Sequence, residues 1–340
     1  MNIIIIGPAY PYRGGIADGN ERLAKEFMTQ GHKVHLHTFS LQYPRFLFPG
    51  KTQYKTEKKS KELIVSRSIN SINPFNWFAV GKKIRKEKPD LVIIRYWIPF
   101  LGPCFGTLLR RIKKDKSIPV ISVVDNLIPH EPRLGDKMFT RYFSKPVDAF
   151  VAMSKSVLND IEQLDKTKLK RLSPHPLFDN YGDKLARTEA LNYLNLDKTK
   201  RYLLFFGLVR AYKGLDILLE AMQSPKLRAI DFQLIIAGEY YSNRSDYEDQ
   251  LIQLKRENRL VEVQKFIPDA EIKYYFSASD LLVLPYKSAT QSGVTQIAYH
   301  FNLPMLVTDV GGLKELCPPG KVGYVVEPKA DEVAEAIVDF

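Results

Sequence analysis

Residues 202–222 read YLLFFGLVRAYKGLDILLEAM. Tyr202 to Phe206 is an unbroken run of apolar and aromatic residues, the pattern of a strand covered on both faces. Gly207 ends the run and opens a loop carrying Arg210 and Lys213. Gly214 then starts a helical pattern in which Leu215, Leu218, Leu219 and Met222 point inward. Strand, glycine-bounded loop and amphipathic helix together make one step of a parallel α/β layer.

The same rhythm runs outward in both directions. In the first half, strands are expected at Asn2–Ile6, Lys33–Thr38, Leu91–Arg95, Val120–Val124 and Ala149–Ala152, with an amphipathic helix over Gly19–Gln30 burying Leu23, Phe27 and Met28. The second half repeats it at Tyr202–Phe206, Gln233–Ala237, Val261–Phe266, Leu281–Pro285 and Met305–Thr308. Residues 173–184, SPHPLFDNYGDK, break the rhythm with two prolines and a glycine, and the helical pattern resumes at Leu185. We therefore expect two domains, at 1–175 and 183–340, each a doubly wound parallel sheet, facing one another across a cleft.

Composition is that of a globular chain: 45% hydrophobic and 26% charged among 340 residues. The run from Trp97 to Leu109 is interrupted by Pro99, Gly102 and Pro103, and it falls short of the roughly 20 residues a membrane helix requires. The N-terminus lacks a basic leader and a cleavage site. With only Cys104 and Cys317, widely separated, a reducing cytoplasmic setting is expected. The net charge of +12 gathers in the first third, in three clusters: Lys51, Lys55, Lys58, Lys59 and Lys61; Lys82, Lys83, Arg85, Lys86 and Lys88; and Arg110, Arg111, Lys113, Lys114 and Lys116. Such a surface attracts anions, acidic phospholipid or a pyrophosphate-linked acceptor among them, unless it is simply a set of solvated helix faces. No zinc-finger spacing or RNA-recognition signature accompanies the charge, so no nucleic-acid partner is expected.

Candidate binding groups fall on the loops after strands. Arg210 and Lys213 supply fixed positive charge where a departing diphosphate needs it, because its charge grows as a glycosidic bond breaks. Thr290, Gln291, Ser292 and the amides around Gly293 stand at the start of a helix, where the dipole and free N–H groups receive anions. Gly311 and Gly312, after the next strand, permit close backbone approach to a sugar or phosphate, although a tight turn needs them equally. Glu239 ends another strand and is placed either to bond a ribose or to lie exposed. In the first half Gly14 and Gly15 precede a helix, where their amides can approach a donor's phosphate or sugar closely, unless they only form a strand-to-helix turn; their spacing is not a dinucleotide fingerprint, and no acid closes the second strand. His35 and His37 share one strand face with no third ligand in view, and His32, His175 and His300 show no metal spacing, so no metal is expected.

Taken together these segments resemble glycosyltransferase family 4, the retaining GT-B enzymes that use nucleotide sugars. The resemblance rests on FFGLVRAYKGLDILLEAM at 205–222, LIIAGEY at 234–240, FIPDAEIKYYFSASDLLVLPY at 266–286, VTDVGGLKEL at 307–316 and the Gly14-Gly15 loop. It implies a GT-B fold of two Rossmann-like domains, the second holding the donor and the first the acceptor. It implies that Arg210 and Lys213 contact the donor diphosphate, that Gly207, Glu239, Ile267 and the 290–293 and 311–312 segments line the donor site, and that no metal or other cofactor is needed. In VVDNLIPHE at 123–131, Asp125 stands where relatives carry a histidine near the reacting sugar, while His130, retained with Glu131, is a candidate base or hydrogen-bond partner to acceptor or donor hydroxyls, or equally a structural histidine. The chain departs from the family at Ala289 and Ile297, where two glutamates spaced eight apart are usual; TQSGV at 290–294 resembles a branch that lacks them. Its last helix, Asp331–Phe340, ends the chain where family members continue into a helix crossing back to the first domain.

The reading is therefore sugar transfer from a UDP- or GDP-linked donor to a hydroxyl of a saccharide or lipid-linked acceptor, in surface polysaccharide or glycolipid synthesis. The cytoplasm is the expected location, with peripheral contact at the inner face of the membrane. Three rivals share some of these features. A GT-B sugar-nucleotide epimerase would release nucleotide without an acceptor, a non-catalytic relative would bind donor without turnover, and a basic nucleic-acid binder would ignore nucleotide sugars.

Overall fold

The structure, a computed structural model, describes residues 1–44, 52–55, 62–115, 118–128, 134–177 and 179–340. The chain divides into two compact units, Met1–Pro174 and His175–Phe340.

The first unit is a seven-stranded parallel sheet. Its strands are β1 (Asn2–Ile6), β2 (Lys33–Leu41), β3 (Ile64–Asn70), β4 (Leu91–Tyr96), β5 (Val120–Val124), β6 (Ala149–Ala152) and β7 (Leu169–Leu172), in the order β3-β2-β1-β4-β5-β6-β7. The second unit has six parallel strands: β8 (Arg201–Phe206), β9 (Phe232–Ala237), β10 (Leu260–Val263), β11 (Leu281–Leu284), β12 (Met305–Thr308) and β13 (Gly323–Val326), ordered β10-β9-β8-β11-β12-β13.

Alternation along the central strands explains why helices cover both faces. In β8, Tyr202, Leu204 and Phe206 belong to one apolar cluster, and Leu203 and Phe205 to the cluster on the opposite face. In β1, Ile4 and Ile6 face one core while Ile3 and Ile5 face the other. A strand with two buried faces favours apolar residues and admits a polar one only where it finds a partner, hence its near-continuous apolar run. Three strands that no such run announces, β3 (IVSRSIN), β7 (LKRL) and β13 (GYVV), all lie at sheet edges. An edge strand is covered less completely, so Ser66, Arg67, Lys170 and Arg171 are tolerated there.

The helices start and stop for local reasons. Asn73 caps Pro74–Lys86, its side chain accepting from Asn76 N, with Pro74 at the first helical position. Ser154 caps Lys155–Leu164 in the same way. The helix expected at Gly19–Gln30 spans Gly15–Thr29, starting at the glycine pair, and the last expected helix spans Ala330–Asp339. Cys104 and Cys317 are free and buried in different units, and burial pushes the Cys317 thiol up to about 11.

No helix among the described residues is long and apolar enough to cross a membrane. Of the first basic cluster, Lys51, Lys58, Lys59 and Lys61 lie outside the described residues, and Lys55 is paired with Asp18. The second cluster lines the last turns of Pro74–Lys86, with Lys82, Lys83 and Lys86 exposed. In the third, Lys113 is tied to Asp148 at 2.5 Å and Arg110 stacks 3.9 Å over the Tyr142 ring, which leaves it less of a bare positive surface than its residue count implies. Lys116 lies outside the described residues.

Candidate donor site of the second unit

In the second unit the strand order reverses between β8 and β11, and the loops after these two strands flank the reversal. Ligands of open α/β sheets bind beyond the carboxyl ends of the strands at such a point. The loop after β8 is Gly207–Gly214, and the loop after β11 is Pro285–Ser292.

The two loops are pinned together. Lys287 N donates to Tyr212 O at 2.7 Å, and the Lys287 ammonium meets Asp216 at 2.5 Å. Gly214 has φ +67 and lies so close to Pro285 that a Cβ would overlap the Pro285 carbonyl oxygen. Two demands fall on that position, left-handed backbone and no side chain, and only glycine meets both. Gly214→Ala is expected to cost about 2–4 kcal/mol and to lower nucleotide affinity with it. Chemical denaturation read alongside ligand binding checks this, and an unaffected variant would show that the loops are not packed this tightly.

Lys213 is carried by the single 3-10 turn Ala211–Lys213 and is buried, 8% exposed. Its ammonium lies 5.4 Å from the Tyr286 ring centroid and 3.4 Å from where a Cβ on Gly207 would sit. Burial lowers its pKa, the neighbouring Tyr212 hydroxyl opposes this and the Arg210 charge adds to it, and among the described residues no carboxylate is among the groups that act on it. A buried cation without an anion is costly, and an arriving diphosphate would relieve that cost. Arg210 is placed differently from Lys213. It is exposed, with its guanidinium 5.2 Å from the Tyr241 ring centroid.

Tyr286 and the helix Gly293–His300 form the opposite wall. Burial holds the Tyr286 phenol up at about 12, so it stays neutral, and its hydroxyl lies 3.5 Å from Ser292 Oγ. Ser292 is the N-cap of this helix, and its side chain makes no cap hydrogen bond; a helix start is where backbone amides can receive an anion. Thr290, Gln291 and Gly293 are half-buried around it. Val294, the second residue of the helix, would touch a Cβ on Gly207 at 3.7 Å.

Gly311, with φ +52, presses the turn after β12 onto the Ala289 carbonyl, where a Cβ would overlap that oxygen. Gly311 is therefore needed for packing the 285–292 loop, and Gly312 beside it is buried. Glu239 is buried at 4%, and its carbonyl accepts from Val209 N at 2.9 Å, which extends the β8–β9 ladder into the Arg210 loop. Ile267 is a core residue, 4% exposed, packed in the same cluster as Phe206, Tyr286, Ala289 and Ile297.

That cluster accounts for the two departures from the family pattern. Ala289 and Ile297 are 6% and 4% exposed and belong to the apolar core behind the loop. A carboxylate at either place would be desolvated in the protein as it stands. Ile297→Glu is expected to destabilise the second unit by about 2–4 kcal/mol without strengthening nucleotide binding. A thermal-denaturation and ligand-titration pair measures both quantities, and a gain in affinity at unchanged stability would refute the packing argument.

In the first unit Gly14 (φ +105) is the N-cap and Gly15 the first residue of the helix Gly15–Thr29. A Cβ on Gly14 would meet nothing within 4 Å, so its glycine answers the backbone conformation and not crowding. His130 and Glu131 lie outside the described residues. Asp125 forms a buried bidentate pair with Arg95, Nε to Oδ2 and Nη2 to Oδ1, both at 2.5 Å. Arg95 was not singled out in the sequence. Its signal is a lone cation in the apolar run LVIIRY, next to the carboxyl end of β4. One expectation is corrected: His35 and His37 do have a third potential ligand beside them, Glu87, 50 residues further along the chain from His37.

Two parallel, doubly wound α/β units with loops gathered at strand ends define the class, the GT-B glycosyltransferase fold. The Anabaena protein HepE, solved in complex with UDP-glucose, superposes with a TM-score of 0.76 over 99% of this chain and 88% of that one, at 15% identity, a likeness of fold. Residues 13–173 match the model described as Glycosyltransferase Family 4, and residues 200–340 that described as Glycosyl transferases group 1. The chain belongs to this family of glycosyltransferases. It is 25% identical over its full length to an uncharacterized glycosyltransferase of Methanocaldococcus jannaschii, 88% of which it covers. It is 29% identical over 157 residues to the lipopolysaccharide core biosynthesis mannosyltransferase LpsB of Rhizobium meliloti, a match spanning 45% of this chain and 44% of that protein.

Proposed function

We propose that the protein transfers a sugar, with retention, from a UDP- or GDP-linked donor to an acceptor hydroxyl in surface polysaccharide or glycolipid synthesis. The observation that carries this reading is the buried, acid-free ammonium of Lys213 at the β8/β11 reversal, next to the uncapped start of Gly293–His300. These are preorganised positive groups in a place from which water is largely excluded. They favour the state in which the bond from the sugar's anomeric carbon to the β-phosphate oxygen has broken. Arg210 supplies further charge from the rim. In same-face transfer the acceptor oxygen bonds to the anomeric carbon on the side the phosphate leaves, and the departing phosphate takes the acceptor proton. No carboxylate nucleophile is required, so Ala289 and Ile297 do not remove any group the step needs. HepE's complex with UDP-glucose and LpsB's role in lipopolysaccharide core synthesis favour the nucleotide-sugar and surface-glycan parts of the proposal.

The membrane part rests on the helix Pro74–Lys86. Phe75 and Phe78 are 86% and 54% exposed there, a turn or two before the exposed Lys82 and Lys86. Apolar side chains beside basic ones suit an anionic bilayer surface. Indifference to anionic vesicles at low salt would remove this part.

The test of the donor site is thermal stabilisation across UDP, GDP, ADP and their sugar conjugates, with Arg210→Ala and Lys213→Ala in parallel. Ligand at a hundred times its dissociation constant adds about 2.7 kcal/mol. One nucleotide that shifts the wild type and neither variant supports the site and names the base. Release of sugar to an acceptor, and not of free epimerised sugar, then separates transfer from epimerisation. No shift with any nucleotide would sink the proposal.

A further inference from the structure

Odd-numbered side chains of β2 point to the sheet face covered by the helix Pro74–Lys86, where Phe39 packs in one cluster with Val80 and Ile84. His35 and His37 stand on that same face, and Glu87, the C-cap of the helix, closes over them. Three segments far apart in sequence thus bring two imidazoles and a carboxylate together.

The orientation of these groups is specific. His35 Nε2 is held by Ser66 Oγ at 2.9 Å, which turns Nδ1 toward Glu87 Oε2 at 2.8 Å. His37 Nδ1 is held by Ser68 Oγ at 3.0 Å, which turns Nε2 toward Glu87 Oε1 at 3.2 Å. Both serines come from β3, two residues apart and so on one face of it. Metal-binding histidines characteristically have their second ring nitrogen fixed by a hydrogen bond, and here both do. The His37 side chain is fully buried, and the Glu87 carboxylate is the group facing its Nε2.

We propose that the first unit binds one divalent transition-metal ion, of the zinc class, through His35, His37 and Glu87. The three ligand atoms lie within 4.8 Å of one another, and this is the one such cluster among the described residues. Tetrahedral zinc, with bonds of about 2.0–2.2 Å, sets its ligand atoms roughly 3.3 Å apart, so small side-chain adjustments suffice. Two nitrogens and one carboxylate oxygen suit zinc better than magnesium or calcium, which prefer oxygen alone. His35 and Glu87 keep 20% and 24% of their side-chain surface exposed, which admits the ion and a solvent ligand at the fourth position. Lys83, one turn before Glu87, opposes the cation but is itself exposed and free to extend into solvent. The ion would clip the end of Pro74–Lys86 to β2 and β3. The site is independent of the donor chemistry of the second unit.

The test uses tag-free full-length protein, treated with EDTA and dialysed, then titrated with zinc by calorimetry and with cobalt by visible absorption. We expect one zinc per chain with micromolar or tighter affinity, and a melting midpoint that rises with zinc and falls back with EDTA. Glu87→Gln keeps a polar partner for His35 and removes the anionic ligand; it should weaken zinc binding at least tenfold. No binding at micromolar zinc overturns the proposal, as does equal binding by the wild type, Glu87→Gln and His35→Gln. Should either variant lose its native circular dichroism, the wild-type cobalt spectrum decides. Low-coordinate cobalt absorbs strongly, and the spectrum of the hydrated ion alone would refute the site.

Discussion

Lys213→Met is expected to make the protein more stable and nearly inactive. Methionine fills the volume of the lysine stem and removes a buried ammonium on which no carboxylate of the described residues is seen to act, so unfolding free energy should rise by about 1–3 kcal/mol. Under the proposed function the same change deletes the charge that would meet the leaving diphosphate. Loss of one such preorganised group lowers turnover by about 10²–10³-fold. Opposite movement of stability and kcat/KM is the signature of a group kept for function. Arg210→Met should behave differently, because Arg210 is exposed and stacked on Tyr241. It should cost activity with little change in stability. Steady-state kinetics beside thermal denaturation separates the two residues, and a Lys213→Met enzyme that turns over normally would remove Lys213 from the mechanism.

Arg95→Met should be among the most destabilising single changes in the first unit. It leaves Asp125 buried with its bidentate partner gone, and breaking a buried pair from one side costs about 3–5 kcal/mol. Asp125→Leu should cost a similar amount for the converse reason. The double variant should recover most of the loss, since paired apolar residues of similar volume replace such a bridge at little net cost. Denaturation must be followed with a probe in the first unit, because two compact units need not unfold together. A double-mutant coupling below about 1 kcal/mol would mean the pair is not desolvated, as for an exposed bridge.

These two expectations differ in how visible they were beforehand. Lys213 is marked locally, by a strand, a glycine and a helix on either side of it, and the pattern alone placed it on a strand-end loop. Arg95 and Asp125 carry no local mark beyond a cation in an apolar strand, and their pairing joins positions 30 apart. The glycines divide in the same way. Gly14 answers a backbone angle that a helix start makes predictable, whereas Gly214 and Gly311 answer the approach of Pro285 and Ala289 from other loops. His130, the catalytic candidate in the first unit, lies outside the described residues.

The sequence by itself determined what is periodic and local: two parallel α/β halves, the central strands, and the strand-end loops that carry Arg210, Lys213 and Thr290–Gly293. Runs such as Tyr202–Phe206 or Asn2–Ile6 announce themselves because burial on both faces favours apolar residues. Edge strands β3 and β7 did not, since partial cover admits polar residues such as Arg67 and Lys170. Tertiary structure alone decided the rest. It set the strand order that puts the β8 and β11 loops side by side, the burial that strips Lys213 of neutralising acids, and the apolar packing that takes in Ala289 and Ile297. It also brought Glu87 to His35 and His37. Each of these depends on which segments become neighbours when the sheet assembles, and that adjacency is a property of the whole packed layer and not of any one segment.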